Sequence, residues 1–203
     1  MIPEDIPEIR RELRQTVLAI RETLDSDFRH RSSVEIAERL MHYLAENQCR
    51  VLHCYISFRS EVETRAFIEN ALLDGIRMIV PVVEQAVEHA DRKERLVHTE
   101  IRGISGLAKG RFGLEEPVER EPSSLESLDR VIVPIVAFDR CGTRLGYGKG
   151  FYDVFLRELP RSVERIGLAF SAQEVDHIPR LAHDEPLDTI ITELEIIHAI
   201  ERC

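Results

Sequence analysis

The sequence predicts an α/β fold of three layers, in which a mostly parallel central sheet lies between helices. Short, nearly continuous apolar segments recur along the chain, as strands buried on both faces of a sheet require. Helical patterns or long connections separate these segments, which is the arrangement that parallel strands need. We therefore predict a single domain over residues 1–203. The predicted strands are residues 51–56, 77–82, 131–136, 165–169 and 189–192.

The composition is that of an ordinary globular protein, with 43% hydrophobic and 32% charged residues. A formal net charge of −10 argues against nucleic-acid binding through the whole surface. No apolar run approaches the length of a membrane span, and the acidic N-terminal segment lacks the apolar stretch of a secretory signal. We expect a cytoplasmic monomer that acts on small molecules and contacts neither nucleic acid nor membrane.

The cysteines show no pattern of a metal or redox site. Cys49, Cys54, Cys141 and Cys203 form no CxxC pair and no zinc-like pairing with histidine. We expect reduced thiols, which agrees with the expected cytoplasmic location.

The chain begins with a predicted helix. Apolar residues recur at helical spacing over residues 6–25, which predicts an amphipathic helix. Arg10, Arg14 and Arg21 lie on a stripe next to the apolar one, where a solvated basic edge is the simplest interpretation.

Two short motifs predict where the next helices begin. Ser32-x-x-Glu35 has the spacing of a capping box, and so does Ser60-x-x-Glu63. The helix that the second motif opens should end at Gly75, because glycine commonly terminates helices.

Prolines and apolar patterns predict the remaining elements. Pro81 and Pro134 each follow an Ile-Val pair, and we expect each proline to end a strand at the edge of a ligand crevice. Residues 84–128 are the least informative, although 96–101 predict an edge strand. A later helix should stop at Pro160.

Residues 131–156 hold the densest group of chemically useful side chains. An apolar segment leads into a loop that carries four of the protein's ten glycines within nine residues. Arg144 and Lys149 lie among them, and Asp139 and Asp153 flank them. Glycine lets the backbone approach a ligand closely, and unpaired N–H groups at the start of a helix attract anions. The pattern predicts a phosphate-binding loop. Its glycines are Gly142, Gly146, Gly148 and Gly150.

Two common phosphate-binding motifs do not fit this loop. A P-loop needs Ser or Thr after Gly-Lys, whereas Gly150 follows Gly148 and Lys149. The glycine spacing also differs from the dinucleotide fingerprint. A plain tight turn would need one or two glycines and no embedded cations, so ligand binding is favoured.

The loop resembles the motif of 5-formyltetrahydrofolate cyclo-ligases, also called methenyltetrahydrofolate synthetases. That family shows VP, then FD, then GxRLGxGxGFYD, which here are Val133-Pro134, Phe138-Asp139 and residues 142–153. Further segments of the family pattern follow in family order, from Arg10 to Arg14, from Tyr55 to Thr64, from Phe112 to Pro117 and from Leu187 to Glu193.

The resemblance implies an ATP site. In the family, a lysine and an arginine of the first helix reach the nucleotide phosphates; Arg14 matches the arginine, and Arg10 stands where the family has lysine. We expect Arg144 and Lys149 to act in catalysis by neutralising phosphate, and Tyr152 to close over the reacting centre or to bind the formyl group. The implied ATP contacts within the loop are Gly142, Arg144, Leu145, Gly146, Tyr147, Gly148, Lys149, Gly150, Phe151 and Tyr152.

The resemblance also implies a folate site and a magnesium site. Asp153 and Asp188 match the family positions at the magnesium site, and carboxylate oxygens suit Mg²⁺. From the sequence alone, Glu61 is equally well explained as an acidic residue that a helix dipole favours. The implied folate contacts are Ile56, Glu61, Tyr147 and Tyr152.

The activity that the resemblance implies is the conversion of 5-formyltetrahydrofolate to 5,10-methenyltetrahydrofolate, with ATP as co-substrate and Mg²⁺ as cofactor. The γ-phosphate would activate the formyl oxygen, and the N10 amine would then close the ring. Two alternatives stay open. One is a protein of the same fold that binds nucleotide or folate without cyclisation. The other is a sugar-phosphate isomerase or CoA-transferase, since such enzymes share the family's fold.

Overall fold

A computed structural model describes residues 5–85, 94–110, 113–121 and 123–199. In chain order its elements are helices α1 (Ile6–Thr23) and α2 (Ser26–Glu46), strand β1 (Val51–His53), helix α3 (Arg65–Leu73), strands β2 (Arg77–Gln85), β3 (Glu94–Ile101), β4 (Leu107–Lys109), β5 (Glu115–Pro117), β6 (Arg130–Pro134), β7 (Ala137–Phe138) and β8 (Arg144–Leu145), helix α4 (Phe151–Glu158), and strands β9 (Glu164–Leu168), β10 (Thr189–Ile191) and β11 (Ile196–His198).

A seven-stranded sheet in the order β11-β10-β9-β6-β1-β2-β3 forms the centre of the molecule. The five inner strands are parallel, and an antiparallel strand covers each edge. The predicted α/β fold with a mostly parallel sheet is therefore confirmed, and 96–101 lie in the predicted edge strand, β3.

Helices cover both faces of the sheet. Alternate residues of a strand point to opposite faces, so neighbouring positions separate into two cores. Ile132 of β6 belongs to one core with Leu40 of α2, whereas Val131 belongs to the other with Phe155 of α4. Helix α1 lies apart from these layers, and its Val17 packs against the β7–β8 hairpin at Leu145.

Two helix starts differ from the capping-box predictions. Helix α2 begins at Ser26, where the Asp25 carboxylate accepts from the backbone nitrogens of Asp27 and Phe28 at 3.0 and 3.2 Å. The earlier carboxylate cap extends the helix, so Ser32 lies buried inside it.

Helix α3 begins at Arg65, after Thr64, and Ser60 does not cap it. The Ser60 hydroxyl instead accepts from Arg21 of α1 at 3.1 Å. That contact spans 39 residues, and a local motif does not reveal it.

Strand β2 continues past Pro81 to Gln85, so the prediction that this proline ends a strand is wrong. Its parallel neighbour β1 ends at His53, which pairs with Ile79. Beyond that point the missing N–H of Pro81 faces no acceptor on β1, and the strand tolerates it. Pro134 does end β6, as predicted.

The cysteines only partly follow the prediction. Cys49 and Cys54 are buried and free. Cys141 is disulfide-bonded, so the prediction of reduced thiols is wrong there. Cys203 lies outside the described residues, as does Phe112 of the predicted family motif. Within the described ranges, no helix is both long and apolar enough to cross a membrane.

Gly142 lies in the turn between β7 and β8, at a position that has no room for a side chain. Its φ is +77°, and a Cβ there would collide with the carbonyl oxygen of Leu187. Its own carbonyl accepts from the Leu187 nitrogen at 2.9 Å. Gly75, after α3, has a similar φ of +82°, but nothing lies within 4 Å of the position that a Cβ would take there. Substitutions at the two positions therefore distinguish the cost of a left-handed backbone from the cost of a steric collision.

We expect Gly142→Ala to lower the free energy of unfolding more than Gly75→Ala. Both changes place alanine in the left-handed region, which costs about 1–2 kcal/mol. The collision at Gly142 should add roughly 1–3 kcal/mol. Urea unfolding of both variants measures the difference, and equal losses would contradict this role of Gly142.

Candidate active site

One cavity of about 650 Å³ lies where the parallel strands end. Tyr55 and Ile56 follow β1 into it, Pro134 ends β6 beside it, and α1 and the loop before β10 close it. In α/β sheets, ligand sites form in this position because the loops there converge while the strands stay fixed.

Residues 146–150 of the glycine loop form the polar end of the cavity. Gly148 and Gly150 have φ values of +92° and +66°, which only glycine adopts without strain. A Cβ on Gly146 would meet nothing within 4 Å, so the backbone there is open to a ligand. Gly150 leads directly into the first turn of α4, where backbone N–H groups are unpaired.

Helix α1 brings two arginines to this end. Arg14 donates from Nε to the Gly146 carbonyl at 2.7 Å. Partial burial, followed by repulsion from Arg10, lowers the pKa of Arg14. Arg10 is engaged differently, because both Nη atoms bind the Asp184 carboxylate, at 2.6 and 2.9 Å, and Nη1 also donates to the Pro179 carbonyl.

The two predicted catalytic cations both line the cavity. Arg144 is buried and donates from Nη2 to Asp153 at 2.8 Å and from Nη1 to the Glu185 carbonyl. Burial lowers the pKa of Arg144, and the nearby Asp153 opposes that shift. Lys149 has a more exposed side chain, and its Nζ lies 3.1 Å from Glu94 Oε2. Arg144 is therefore a fixed charge, whereas Lys149 lies at the rim.

The two carboxylates of the predicted magnesium site are not brought together. Asp153, in the first turn of α4, lines the cavity. Asp188 comes just before β10, and its carboxylate accepts from the Arg165 backbone nitrogen at 2.8 Å. A residue that precedes a parallel strand lies at the opposite end of the sheet from the cavity. Asp188 is not among the lining residues, so the structure does not bring it together with Asp153.

Two other predicted ATP contacts also lie outside the cavity. Leu145 is fully buried in the core that Val17 and Ile178 share. Gly142 lies in the β7–β8 turn against Leu187. Both residues support the loop on the side that faces away from the cavity. The predicted residues that do line the cavity are Arg10, Arg14, Ile56, Glu61, Arg144, Gly146, Tyr147, Gly148, Lys149, Gly150, Phe151, Tyr152 and Asp153.

The other end of the cavity has a largely apolar wall. Sequence reasoning missed most of it, although Pro81 was expected at the edge of a crevice. Leu96 and Leu114 come from the uninformative stretch 84–128 and Phe58 from a loop, whereas Val83 belongs to strand β2. The wall residues are Phe58, Pro81, Val83, Leu96 and Leu114. A flat aromatic ligand would find extensive nonpolar contact here.

Glu61 is a buried carboxyl group at this end, and Glu115 and Glu116 also line the cavity. Burial raises its pKa to about 7, although hydrogen bonding from the Phe58 nitrogen and the charge of Arg21 oppose the shift. The Phe58 nitrogen donates to Glu61 Oε2 at 2.8 Å. Near neutral pH, Glu61 can therefore accept or release a proton, which an ordinary glutamate cannot do there.

Tyr152 lies between the two ends. Burial raises its pKa, and the charges of both Glu61 and Arg144 act on it, so the phenol stays protonated. Within the described part of the chain, the buried Tyr152 hydroxyl has no hydrogen-bond partner. Buried hydroxyls are normally paired, so this one is suited to a ligand atom.

Two histidines near Tyr152, the fully buried His53 and the half-buried His98, form a pair that sequence reasoning did not identify. His53 Nε2 lies 3.1 Å from His98 Nδ1, and His98 stacks on Phe155. Burial lowers the pKa of His98 to about 4 and lowers that of His53 as well. The pair is thus neutral at physiological pH and supports the wall of the cavity.

The comparisons with known proteins agree with this geometry. The model of the 5-formyltetrahydrofolate cyclo-ligase family matches residues 7–193. The chain therefore belongs to the 5-formyltetrahydrofolate cyclo-ligase family, and the prediction of an enzyme of this family is confirmed.

Relatives and solved structures cover nearly the whole chain. A 5-formyltetrahydrofolate cyclo-ligase of Haemophilus influenzae is 28% identical over 90% of this chain and 96% of its own. One of Saccharomyces cerevisiae is 30% identical, over 92% and 96%. The NMR structure of a 5,10-methenyltetrahydrofolate synthetase of Aquifex aeolicus superimposes with a TM-score of 0.79 at 29% identity, covering 96% of this chain and 95% of that one.

We expect Glu61→Gln to stabilise the protein at pH 8 and to change it little at pH 5. The folded-state pKa of Glu61, about 7, lies above its ordinary value of 4.5. The stabilisation is therefore complete below pH 4.5 and is lost as pH rises through 7, because folding then holds a charge in a buried place. Removing the carboxyl should restore up to about 3 kcal/mol at pH 8.

Urea unfolding at both pH values checks this expectation. Glu119→Gln, at an exposed position, is the matched control. A Glu61→Gln effect of the same size at pH 5 and pH 8 would contradict the assigned pKa.

Proposed function

We propose that the protein cyclises 5-formyltetrahydrofolate to 5,10-methenyltetrahydrofolate and splits ATP to ADP and phosphate in doing so. The observation that supports this most strongly is the two-ended cavity. A glycine loop with cations lies at one end, and an apolar wall with a buried carboxyl group lies at the other. Between them lies Tyr152, whose buried hydroxyl has no hydrogen-bond partner among the described residues. ATP would take the first end and the pterin the second.

The proposed reaction has two steps. The formyl oxygen of the substrate attacks the γ-phosphorus of ATP, a phosphorus–oxygen bond forms, and the bond to ADP breaks. The N10 amine then attacks the activated formyl carbon and loses its proton, the carbon–oxygen bond breaks, and phosphate leaves. Phosphorylation converts a poor leaving group into a good one, so the protein mainly positions the partners and neutralises charge.

Each cation has a distinct task in this proposal. Arg14 and Arg144 are held by hydrogen bonds and present fixed charges to the phosphates. Lys149, at the rim, moves from Glu94 towards the transferred phosphoryl group as a point charge. The N–H groups of Gly148 and Gly150 cradle the phosphate oxygens.

Tyr152 is proposed to donate its hydroxyl proton to the formyl oxygen or to the phosphate that replaces it. Its raised pKa keeps the phenol a donor through the reaction. The apolar surroundings strengthen such a hydrogen bond, since little water competes.

The magnesium site is proposed with Asp153 as its protein carboxylate. Within the described residues, no group of three His, Cys, Asp or Glu side chains is placed to hold a metal ion. Mg²⁺ bound to a nucleotide usually takes one or two carboxylates, with phosphate oxygens and water as the other ligands, so one carboxylate fits. A bound Mg²⁺ would neutralise phosphate charge as it shifts to ADP.

One observation keeps the non-cyclising alternative open to test. Arg10 stands where the family has lysine, and its guanidinium is taken up by Asp184 and Pro179. A site with one phosphate contact fewer would still bind nucleotide, but it would transfer the phosphoryl group slowly.

The test is the appearance of the methenyl chromophore when protein, 5-formyltetrahydrofolate and Mg-ATP are mixed. We expect product only when ATP is present. Lys149→Ala should lower kcat/KM by about 10²–10³-fold, because a positioned charge at the phosphoryl group is lost. No product from a folded protein that still binds ATP would favour the non-cyclising alternative.

Magnesium dependence separates the two carboxylates. We expect Asp153→Asn to raise the Mg²⁺ concentration needed for half-maximal rate by about 10-fold or more. Asp188→Asn should leave that concentration unchanged, since Asp188 contacts Arg165 outside the cavity. An equal rise of this Mg²⁺ concentration in both variants would support the predicted site in which Asp153 and Asp188 both bind Mg²⁺.

A further inference from the structure

Arg21, in the last turn of α1, is a buried cation to which the proposed reaction gives no role. Its side chain is only 1% exposed. It donates to three acceptors from three separate segments: Ser60 Oγ at 3.1 Å, the Ile135 carbonyl at 3.0 Å and Tyr147 Oη at 2.7 Å. All three acceptors are uncharged groups.

Burying a charge among neutral partners is costly, so its position calls for an explanation. In the described part of the chain, no ion pair joins Arg21 to a carboxylate. The nearby charge that it acts on is Glu61, which follows Ser60 directly.

The direction of the hydrogen bonds fixes the roles of the partners. A guanidinium has only donors, so Tyr147 Oη must accept from Arg21. The phenol proton is then left to donate, and the Glu61 carboxyl, which lines the same cavity as Tyr147, is the neighbour whose pKa this hydroxyl lowers. The Arg21 guanidinium also lies 5.6 Å from the centre of the Tyr147 ring, which restrains the ring.

We propose that Arg21 is a positioning residue of the folate end: it aims the Tyr147 hydroxyl at Glu61 and thereby presents that side chain to the substrate as an ionised acceptor. The inference rests on the proposed function, because the acceptor would receive N–H groups of the pterin ring. An ionised carboxylate accepts hydrogen bonds with both oxygens, whereas a protonated one would turn a donor towards those N–H groups.

The groups that face Glu61 explain why one arginine suffices. Tyr55 and Tyr152 lie on other elements around it and are neutral, since burial raises the pKa of each. Tyr147 is neutral as well, because burial raises its pKa to about 12. Arg21 is the cation that opposes the burial of Glu61. Loss of Arg21 should therefore raise the pKa of Glu61 further.

The first experiment follows the Glu61 carboxyl directly, without any reaction. The ¹³C-carboxyl signal of Glu61 is assigned with Glu61→Gln and titrated in the wild-type protein, Arg21→Met and Tyr147→Phe. We expect a wild-type midpoint near 7. Arg21→Met should raise this midpoint by about one pH unit or more, and Tyr147→Phe should raise it by less. Arg21→Lys keeps the positive charge and should therefore raise the midpoint less than Arg21→Met does.

Arg130→Gln is the matched control, because it also removes a mostly buried arginine. Arg130 pairs with Glu164 at the start of β6, away from the cavity. It should lower stability without moving the Glu61 midpoint. A midpoint that is unchanged in folded Arg21→Met would overturn the proposal. If Arg21→Met does not fold, unchanged midpoints in Arg21→Lys and Tyr147→Phe would do the same.

The second experiment measures the pH profile of kcat/KM for 5-formyltetrahydrofolate by ADP release. The acid limb should move with the carboxyl midpoint. At pH 7 a shift of one unit lowers the ionised fraction from about a half to about a tenth, so kcat/KM should fall about 5-fold, with KM for ATP unchanged. Superimposable profiles would overturn the proposal. If the wild-type protein makes no methenyl product, the proposed function fails, while the carboxyl titration still decides the role of Arg21.

Discussion

The active site depends on the arginine stripe of α1, defined as Arg10, Arg14 and Arg21. These side chains share one face of the helix, because their spacings of four and seven residues are close to whole turns. Each binds a different segment: Arg10 holds the loop at Asp184, Arg14 holds the glycine loop at Gly146, and Arg21 holds Tyr147 and the β6–β7 connection. The helix contributes little to the main cores. It acts as a clamp that gathers loops from distant parts of the chain.

This clamp also explains how an acidic protein can hold anionic ligands. The chain carries a formal net charge of −10, yet the cavity gathers cations in a place of low dielectric. Burial makes each charge act strongly on its neighbours, but it also makes an unpaired charge costly. The structure meets both demands by pairing Arg10 with Asp184 and Arg144 with Asp153, and by giving Arg14 and Arg21 neutral acceptors.

The sequence predicted the fold and the glycine loop well, because both rest on local patterns. Apolar segments revealed every inner strand of the sheet, and glycine density revealed the loop. Contacts between distant segments were beyond reach. Nothing local shows that Ser60 binds Arg21 and does not cap a helix. The position of Asp188 was within reach, because it directly precedes the predicted parallel strand 189–192 and so lies at the end of the sheet opposite the cavity. The resemblance named residues of the loop correctly as a group, but only the structure separates Gly146 at the ligand face from Gly142 and Leu145 behind it. Leu96 and Val83 were missed because apolar wall residues look the same in sequence as core residues.

The clamp has a consequence for the order in which the protein forms. Helix α1 is synthesised before the segments that it binds, since the acceptors of its arginines lie at Ile135, Gly146, Pro179 and Asp184. Until those residues are made, Arg10 and Arg14 lack the acceptors that hold their side chains in the folded protein, and of its three acceptors Arg21 has only Ser60. Contacts of such long sequence separation form late and slowly. Strands β1, β2, β3 and β6 are made before Gly146, Pro179 and Asp184, so this part of the sheet can pair while the site is still incomplete. A helix that is made early is in this way among the last parts of the active site to be assembled.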